Sequence, residues 1–226
     1  MNNNNKISKY KISTSYLVLS ILFIIFPMGL KSIGITIENY TVTVEILLSL
    51  YIASLHLLFS LYLYPSYSQS TTLSQTPTSL KIQRALFGFV IGTLIFYFIS
   101  ILYGAPFFTS IFRTLCFGLL ISSMTAVPSA IILGSNPQNW KDLYFYPSHN
   151  SIFDTCCTIV VLCSLFGAWI GAFAIPLDWD RPWQVWPISC VYSSLLGHFV
   201  GLISSTVYCL LYSDNSTNSL VSKHNK

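Results

Sequence analysis

Apolar residues dominate this chain in long unbroken runs, separated by short polar stretches. Six runs are near or above the ~20 residues that a helix needs to cross a bilayer. They cover roughly 15–35, 42–64, 85–103, 107–133, 155–175 and 186–211. The pattern predicts an all-α polytopic membrane protein, a single bundle of about six transmembrane helices with no soluble domain, since every loop is too short to enclose a core of its own. Pro27 and Lys31 interrupt the first run, and Pro128 should kink the fourth. Residues 1–14, with their asparagine run, read as a disordered cytosolic tail, and 212–226 as a cytosolic tail. The start carries no small-residue cleavage site, so the first span is expected to be retained.

Composition agrees. Of 226 residues, 53% are hydrophobic and 8% charged, against about a quarter charged in an ordinary soluble domain. Six spans put both ends on one side. Lys6, Lys9, Lys11, Lys81, Arg84, Lys141, Lys223 and Lys226 fall on that side, and only Lys31 and Arg181 on the other. The positive-inside rule therefore predicts cytosolic termini. Dispersed around spans, these cations form no patch for nucleic acid. The six cysteines lie in or beside apolar runs with no CxxC pair, as small polarisable fillers would.

Small residues recur at four-residue steps. Gly88 and Gly92, Gly167 and Gly171, and Gly197 and Gly201 each form GxxxG, and the last series extends through Ser189, Ser193 and Ser205. Such stripes admit close helix approach. They serve either this bundle's own packing or a docking face for another membrane protein.

Charge is concentrated in the predicted lumenal loop DWDRPWQ. Trp179, Trp183 and Trp186 suit an interfacial belt, and the flanking prolines stiffen a short hairpin that presents Asp178, Asp180, Arg181 and Gln184 outward. Glu45 and Arg113, near the lumenal ends of their spans, either join the hairpin in one polar cluster or snorkel separately, because an unpaired charge at membrane depth costs several kcal/mol. These nine residues are the candidate contacts for a partner's lumenal domain or a glycolipid headgroup. His56 and His198 read as hydrogen-bonded packing residues. The chain holds seven carboxylates. It shows no P-loop, G-x-S-x-G or HExxH motif, so no catalytic, metal or cofactor residue is assigned. The alternative is an independent lipid-binding or lipid-modifying enzyme that uses Asp178 and Asp180 for a metal, or Arg113 and Arg181 for a phosphate. A transporter is disfavoured by the lack of paired broken helices.

The string FGAWIGAFAIPLDWDRPWQVWPISC (Phe166–Cys190) closely resembles the signature of the PIG-F family of GPI-anchor biosynthesis. YGAPFFTSIFRTL (Tyr103–Leu115) and VPSAIILGSNPQNW (Val127–Trp140) resemble it more weakly, and the first half only in hydropathy. The resemblance implies an endoplasmic-reticulum membrane protein without catalysis of its own. It implies a subunit that stabilises the large enzymes adding ethanolamine phosphate to mannoses of the GPI precursor. Those catalytic subunits, the surrounding lipid and the precursor itself are then the expected partners.

Overall fold

The computed structural model describes residues 3–63, 77–134, 136–144, 152–177 and 180–211. Among them every regular element is helical: α1 (Asn3–Ser32), α2 (Thr41–Leu63), α3 (Thr78–Leu102), α4 (Ile111–Met124), α5 (Ala126–Leu133), α6 (Pro137–Tyr144), α7 (Ile152–Ala172) and α8 (Ile188–Leu211). Five are long and apolar enough to cross a membrane. The pair α4 and α5, bent by 41°, is together long and apolar enough to make a sixth.

Two boundaries differ from expectation for physical reasons. Residues 3–14 are the opening turns of α1 rather than a loose tail. Ile12, Tyr16, Leu19 and Phe23, spaced by four, three and four residues, bury one stripe of α1 in the core. Beside it the Ser13 hydroxyl donates to the Thr206 carbonyl of α8 at 3.3 Å. Pro27 does not end the helix, which runs on to Ser32. In the fourth span the break falls at Thr125, three residues before Pro128. A proline ring clashes with the carbonyl four residues earlier, here Met124, the last residue of α4. Hydroxyls bond carbonyls around the break: Thr125 donates to Ile121 at 2.6 Å and Ser129 to Thr125 at 2.6 Å, beside its own amide at 3.3 Å.

The two hairpins α1–α2 and α3–α4 repeat one connection. Gly34 and Gly104 lie at φ 81° and 97°. Each is followed by an amide that reaches back five residues, Ile35 to Leu30 and Ala105 to Ser100, both at 3.0 Å. This is the Schellman end of a helix, whose left-handed position favours glycine. An aromatic seam joins α1 to α2: Phe26 stacks on Tyr51 at 4.3 Å, and the Tyr51 hydroxyl donates to the Leu22 carbonyl at 2.8 Å.

Packing divides the spans into two neighbouring groups. In one, α8 lies between α1 and α7; in the other, α4 lies between α2 and α3, and α5 also backs α3. Both groups depend on missing side chains. A Cβ at Gly167 would strike the Ser193 carbonyl oxygen, and one at Gly197 the Cys163 carbonyl oxygen. Gly171 would meet the Cys190 Cα at 2.6 Å and Gly201 the Val160 Cα at 2.8 Å. On the other side Gly88 and Gly92 sit against Ala126, and Gly118 against the Thr93 carbonyl at 2.9 Å. The Ser205 hydroxyl donates across to the Cys156 carbonyl at 3.2 Å, and the free thiols of Cys156 and Cys209 lie 3.4 Å apart. The glycine and serine stripes are thus occupied inside the bundle.

It follows that Gly167→Leu or Gly197→Leu should destabilise the chain itself by about 2–3 kcal/mol through overpacking. Ser205→Ala should cost about 0.6 kcal/mol, as a single interhelical hydrogen bond does. Thermal unfolding of the purified chain in detergent measures both. An unchanged Gly197→Leu transition would show that α7 and α8 do not meet as described.

Candidate functional site

At the end of the bundle where α7 turns into α8, the backbone leaves the helix through consecutive tight turns, Phe173 to Ile170, Ala174 to Gly171 and Ile175 to Ala172. The carbonyls at such an end lack helical partners. Gln184, in a short 3-10 turn (Pro182–Gln184), meets that need. Its side-chain amide donates to the Ala174 carbonyl at 2.8 Å and the Leu177 carbonyl at 2.6 Å, while its oxygen accepts the Arg181 amide at 2.9 Å. Gln184 is therefore buried and clamps the hairpin from inside, where the sequence had suggested an outward polar group.

Trp186 is likewise engaged inside the bundle. The Trp186 indole N–H donates to the Thr114 hydroxyl of α4 at 3.0 Å, and its ring meets Phe117 edge-on at 5.4 Å. Its polar atom is thus satisfied inside the bundle. Trp183 is half-buried against the core. Asp180 and Arg181 are exposed, Asp180 with φ 47°, a left-handed conformation that aspartate tolerates better than most residues. Asp178 and Trp179 lie outside the described residues.

Glu45 and Arg113 come together only in part. Arg113 is exposed at the start of α4, close enough to act on Glu45 electrostatically. Glu45 is fully buried on α2, and neither carboxylate oxygen has a hydrogen-bond partner. Among the described residues no ion pair links either of them to Asp180 or Arg181, so of the two arrangements open from sequence the single polar cluster is not formed: the charges are divided between the bundle interior and the hairpin surface.

The structure adds a tie that sequence reasoning missed. The Tyr192 hydroxyl of α8 donates to Glu38, in the α1–α2 loop, at 2.7 Å. Partial burial of Glu38 works to raise its pKa, but hydrogen bonds from Tyr192, its own backbone and Thr36, with the charge of Lys31, outweigh that and hold it below the usual value. A carboxyl depressed in the folded state stabilises above its unfolded pKa and loses that contribution as pH falls through the depressed value, so the tie is complete at neutral pH. Deep in the bundle His56 and His198 are in ring contact at 5.3 Å, and the Ser164 hydroxyl lies 2.9 Å from His198 Nδ1. Both histidines are buried and serve packing here. Among the described residues no three His, Cys, Asp or Glu side chains are grouped so as to hold a metal ion.

Two outcomes are expected in thermal unfolding. Gln184→Leu should cost about 1–3 kcal/mol, because it strips the Leu177 carbonyl of its side-chain donor and leaves the Ala174 carbonyl only the Leu177 amide at 3.4 Å. Glu45→Gln should leave stability unchanged or raise it, since it replaces a buried ionisable carboxyl that has no hydrogen-bonded partner by a neutral amide of the same size. A drop for Glu45→Gln would mean that Arg113 closes on Glu45 as an ion pair.

Comparison with known proteins accords with this architecture. The model of the GPI biosynthesis protein family Pig-F matches residues 12–206. A mouse protein named GPI ethanolamine phosphate transferase, stabilizing subunit, is 35% identical over 160 residues, 70% of this chain and 71% of its own length. The human protein of the same name is 31% identical over 192 residues, 84% of this chain and 87% of its own. Glycosylphosphatidylinositol anchor biosynthesis protein 11 of Debaryomyces hansenii is 27% identical over 211 residues, 89% of this chain and 85% of its own. No solved structure matches. The matched residues run from Ile12 of α1 to Thr206 in the last turns of α8, and the chain belongs to the GPI biosynthesis protein family Pig-F.

Proposed function

We propose that this chain is a non-catalytic stabilising subunit of a GPI ethanolamine phosphate transferase in the endoplasmic-reticulum membrane. It supports the transfer of ethanolamine phosphate to mannose of the GPI precursor, and the chemistry belongs to the partner subunit. The observation that carries this reading is the likeness, over most of both chains, to two mammalian proteins named as stabilizing subunits of that transferase. The site geometry supports it. The indole of Trp186, the amide of Gln184 and the glycine stripes are engaged inside the bundle, and Asp180 and Arg181 remain exposed on a clamped hairpin. A rigid, sparsely charged protrusion recognises a partner with little ordering entropy to lose.

In this proposal both termini are cytosolic and the hairpin is lumenal, on the balance of basic residues. The catalytic subunit meets the hairpin through Asp180 and Arg181, joined by Asp178 and Trp179. The outer face of α3, where Leu86, Val90, Leu94 and Phe98 are exposed at four-residue steps, lies against lipid or the partner's helices.

A tagged chain purified from its own cells in mild detergent should bring down a large membrane transferase in near-equal amount. The double variant Asp180→Ala, Arg181→Ala should recover about tenfold less, the equivalent of ~1.4 kcal/mol, with its own melting transition unchanged. A chain that purifies alone, with GPI-linked proteins unaffected by its deletion, would overturn the proposal.

A further inference from the structure

A groove open to the side of the bundle lies between α3, the α4–α5 elbow, α6 and α7, and encloses about 390 Å³. It exists because α3 packs on α4 and α5 while α7 packs on α8, and the bend at Thr125 leaves a hollow between the two groups. Its lining is apolar: Phe87, Ile91 and Ile95 of α3 face Leu162 and Leu165 of α7. The hydroxyls at its edge satisfy each other, with Ser129 and Tyr144 2.6 Å apart. The interior therefore offers an occupant no unspent hydrogen bond.

One end of the groove is different. Trp140 lines it, and its indole N–H donates to the Gly134 carbonyl at 2.9 Å. The Arg84 guanidinium lies over Gly134, with Cζ 2.9 Å from where a Cβ would stand, so the glycine makes room for it. Arg84 is one turn before Phe87 and makes no hydrogen bond or ion pair to a described residue. This end of the bundle is the one at which α1 begins and α8 ends, and Lys141 is exposed beside it.

We infer that this groove is a binding site for one glycerophospholipid of the adjoining leaflet, with an acyl chain along α3 and the phosphate on Arg84. Size selects the occupant. The stretch of α3 that lines the groove, from Phe87 to Phe96, rises ~14 Å, close to the ~15 Å of hydrocarbon in one leaflet of a ~30 Å core. Spread over that length, the volume leaves a section of roughly 30 Å², nearer to one polymethylene chain than to the roughly 80–110 Å² of a helix 10–12 Å across. A partner helix would also need the groove to continue across both leaflets. Charge selects the head: a guanidinium at the polar edge of an apolar slot is the group best matched to a phosphodiester. The site is distinct from the hairpin and does not rest on the identity of the transferase.

The test uses phosphatidylcholine carrying a diazirine on its sn-2 acyl chain, incorporated in phosphatidylcholine nanodiscs with the full chain, alone and as its purified complex. After photolysis, peptide mapping should find Ile91, Ile95 and Leu162 labelled about fivefold above the exposed α8 positions Leu196 and Val200, a preference of ~1 kcal/mol. Ile91→Trp, which fills the groove from an exposed position, and Arg84→Gln should each return that ratio to near one while the melting transition stays in place. Equal labelling of all lipid-facing positions, or a preference that neither substitution changes, would overturn the inference. Labelling of the chain alone that vanishes in the complex would also overturn it, in favour of a partner segment in the groove.

Discussion

Two helix backbones touching without side chains between them is the constraint on which this fold depends. Gly167 of α7 and Gly197 of α8 face each other so closely that a Cβ on either would enter the opposing main chain. In a bilayer the hydrophobic effect gives no advantage to helix association over helix–lipid contact, so shape and hydrogen bonding must hold the bundle. Close approach multiplies dispersion contacts that are individually near 0.1–0.2 kcal/mol. It also brings the Ser205 hydroxyl to the Cys156 carbonyl and Ser164 to His198. With α8 fixed against α7, its opposite side receives α1, and the ring of His198 meets Phe23 at 4.9 Å.

The hairpin is a consequence of that contact. Because α7 and α8 are in register at their glycines, their connecting segment has little space to cross. A short crossing strands carbonyls at the end of α7, and Gln184 answers them with two donors on one side chain. Rigidity of the hairpin therefore derives from hydrogen bonding to its own backbone as well as from its prolines. The same economy applies to Trp186, which ties the start of α8 to α4 through Thr114 and so links the two helix groups at this end. Residues that look like a recognition surface by type are, in large part, the fasteners that hold a smaller surface in place.

This explains what was legible in the sequence and what was not. Span number was legible because a ~20-residue apolar run has few alternatives in a membrane protein. The elbow was legible to within one turn, the shift being the proline's reach to the carbonyl four residues back. The glycine stripes were legible as packing surfaces, but a matching stripe of Gly118, Ser122, Ala126 and Ala130 passed unnoticed because alanine and serine are less conspicuous than glycine. The repeated α1–α2 and α3–α4 connections were hidden because the likeness is conformational, carried by Gly34 and Gly104, in loops of different composition. Side-chain direction was the least legible property: Gln184 and Trp186 are as compatible with an outward hairpin as with an inward one until the stranded carbonyls and the Thr114 hydroxyl are placed.

The distribution of charge separates the two kinds of contact that such a chain must make. Glu38 is exposed yet partnered through Tyr192, whereas Glu45 is buried and has no hydrogen-bond partner. The first fastens a loop to α8 and needs nothing from outside. The second is held in the interior by helix packing despite its desolvation, with Arg113 nearby but on the surface. Asp180 and Arg181 are then the exposed charges on the described part of the hairpin. A surface with so few charges gains specificity from their fixed positions more than from their number, because each correct pairing counts only if the backbone beneath it does not move. The close α7–α8 contact and the Gln184 clamp supply that fixity, so the packing of the membrane interior and the recognition of a partner outside it are one structural problem.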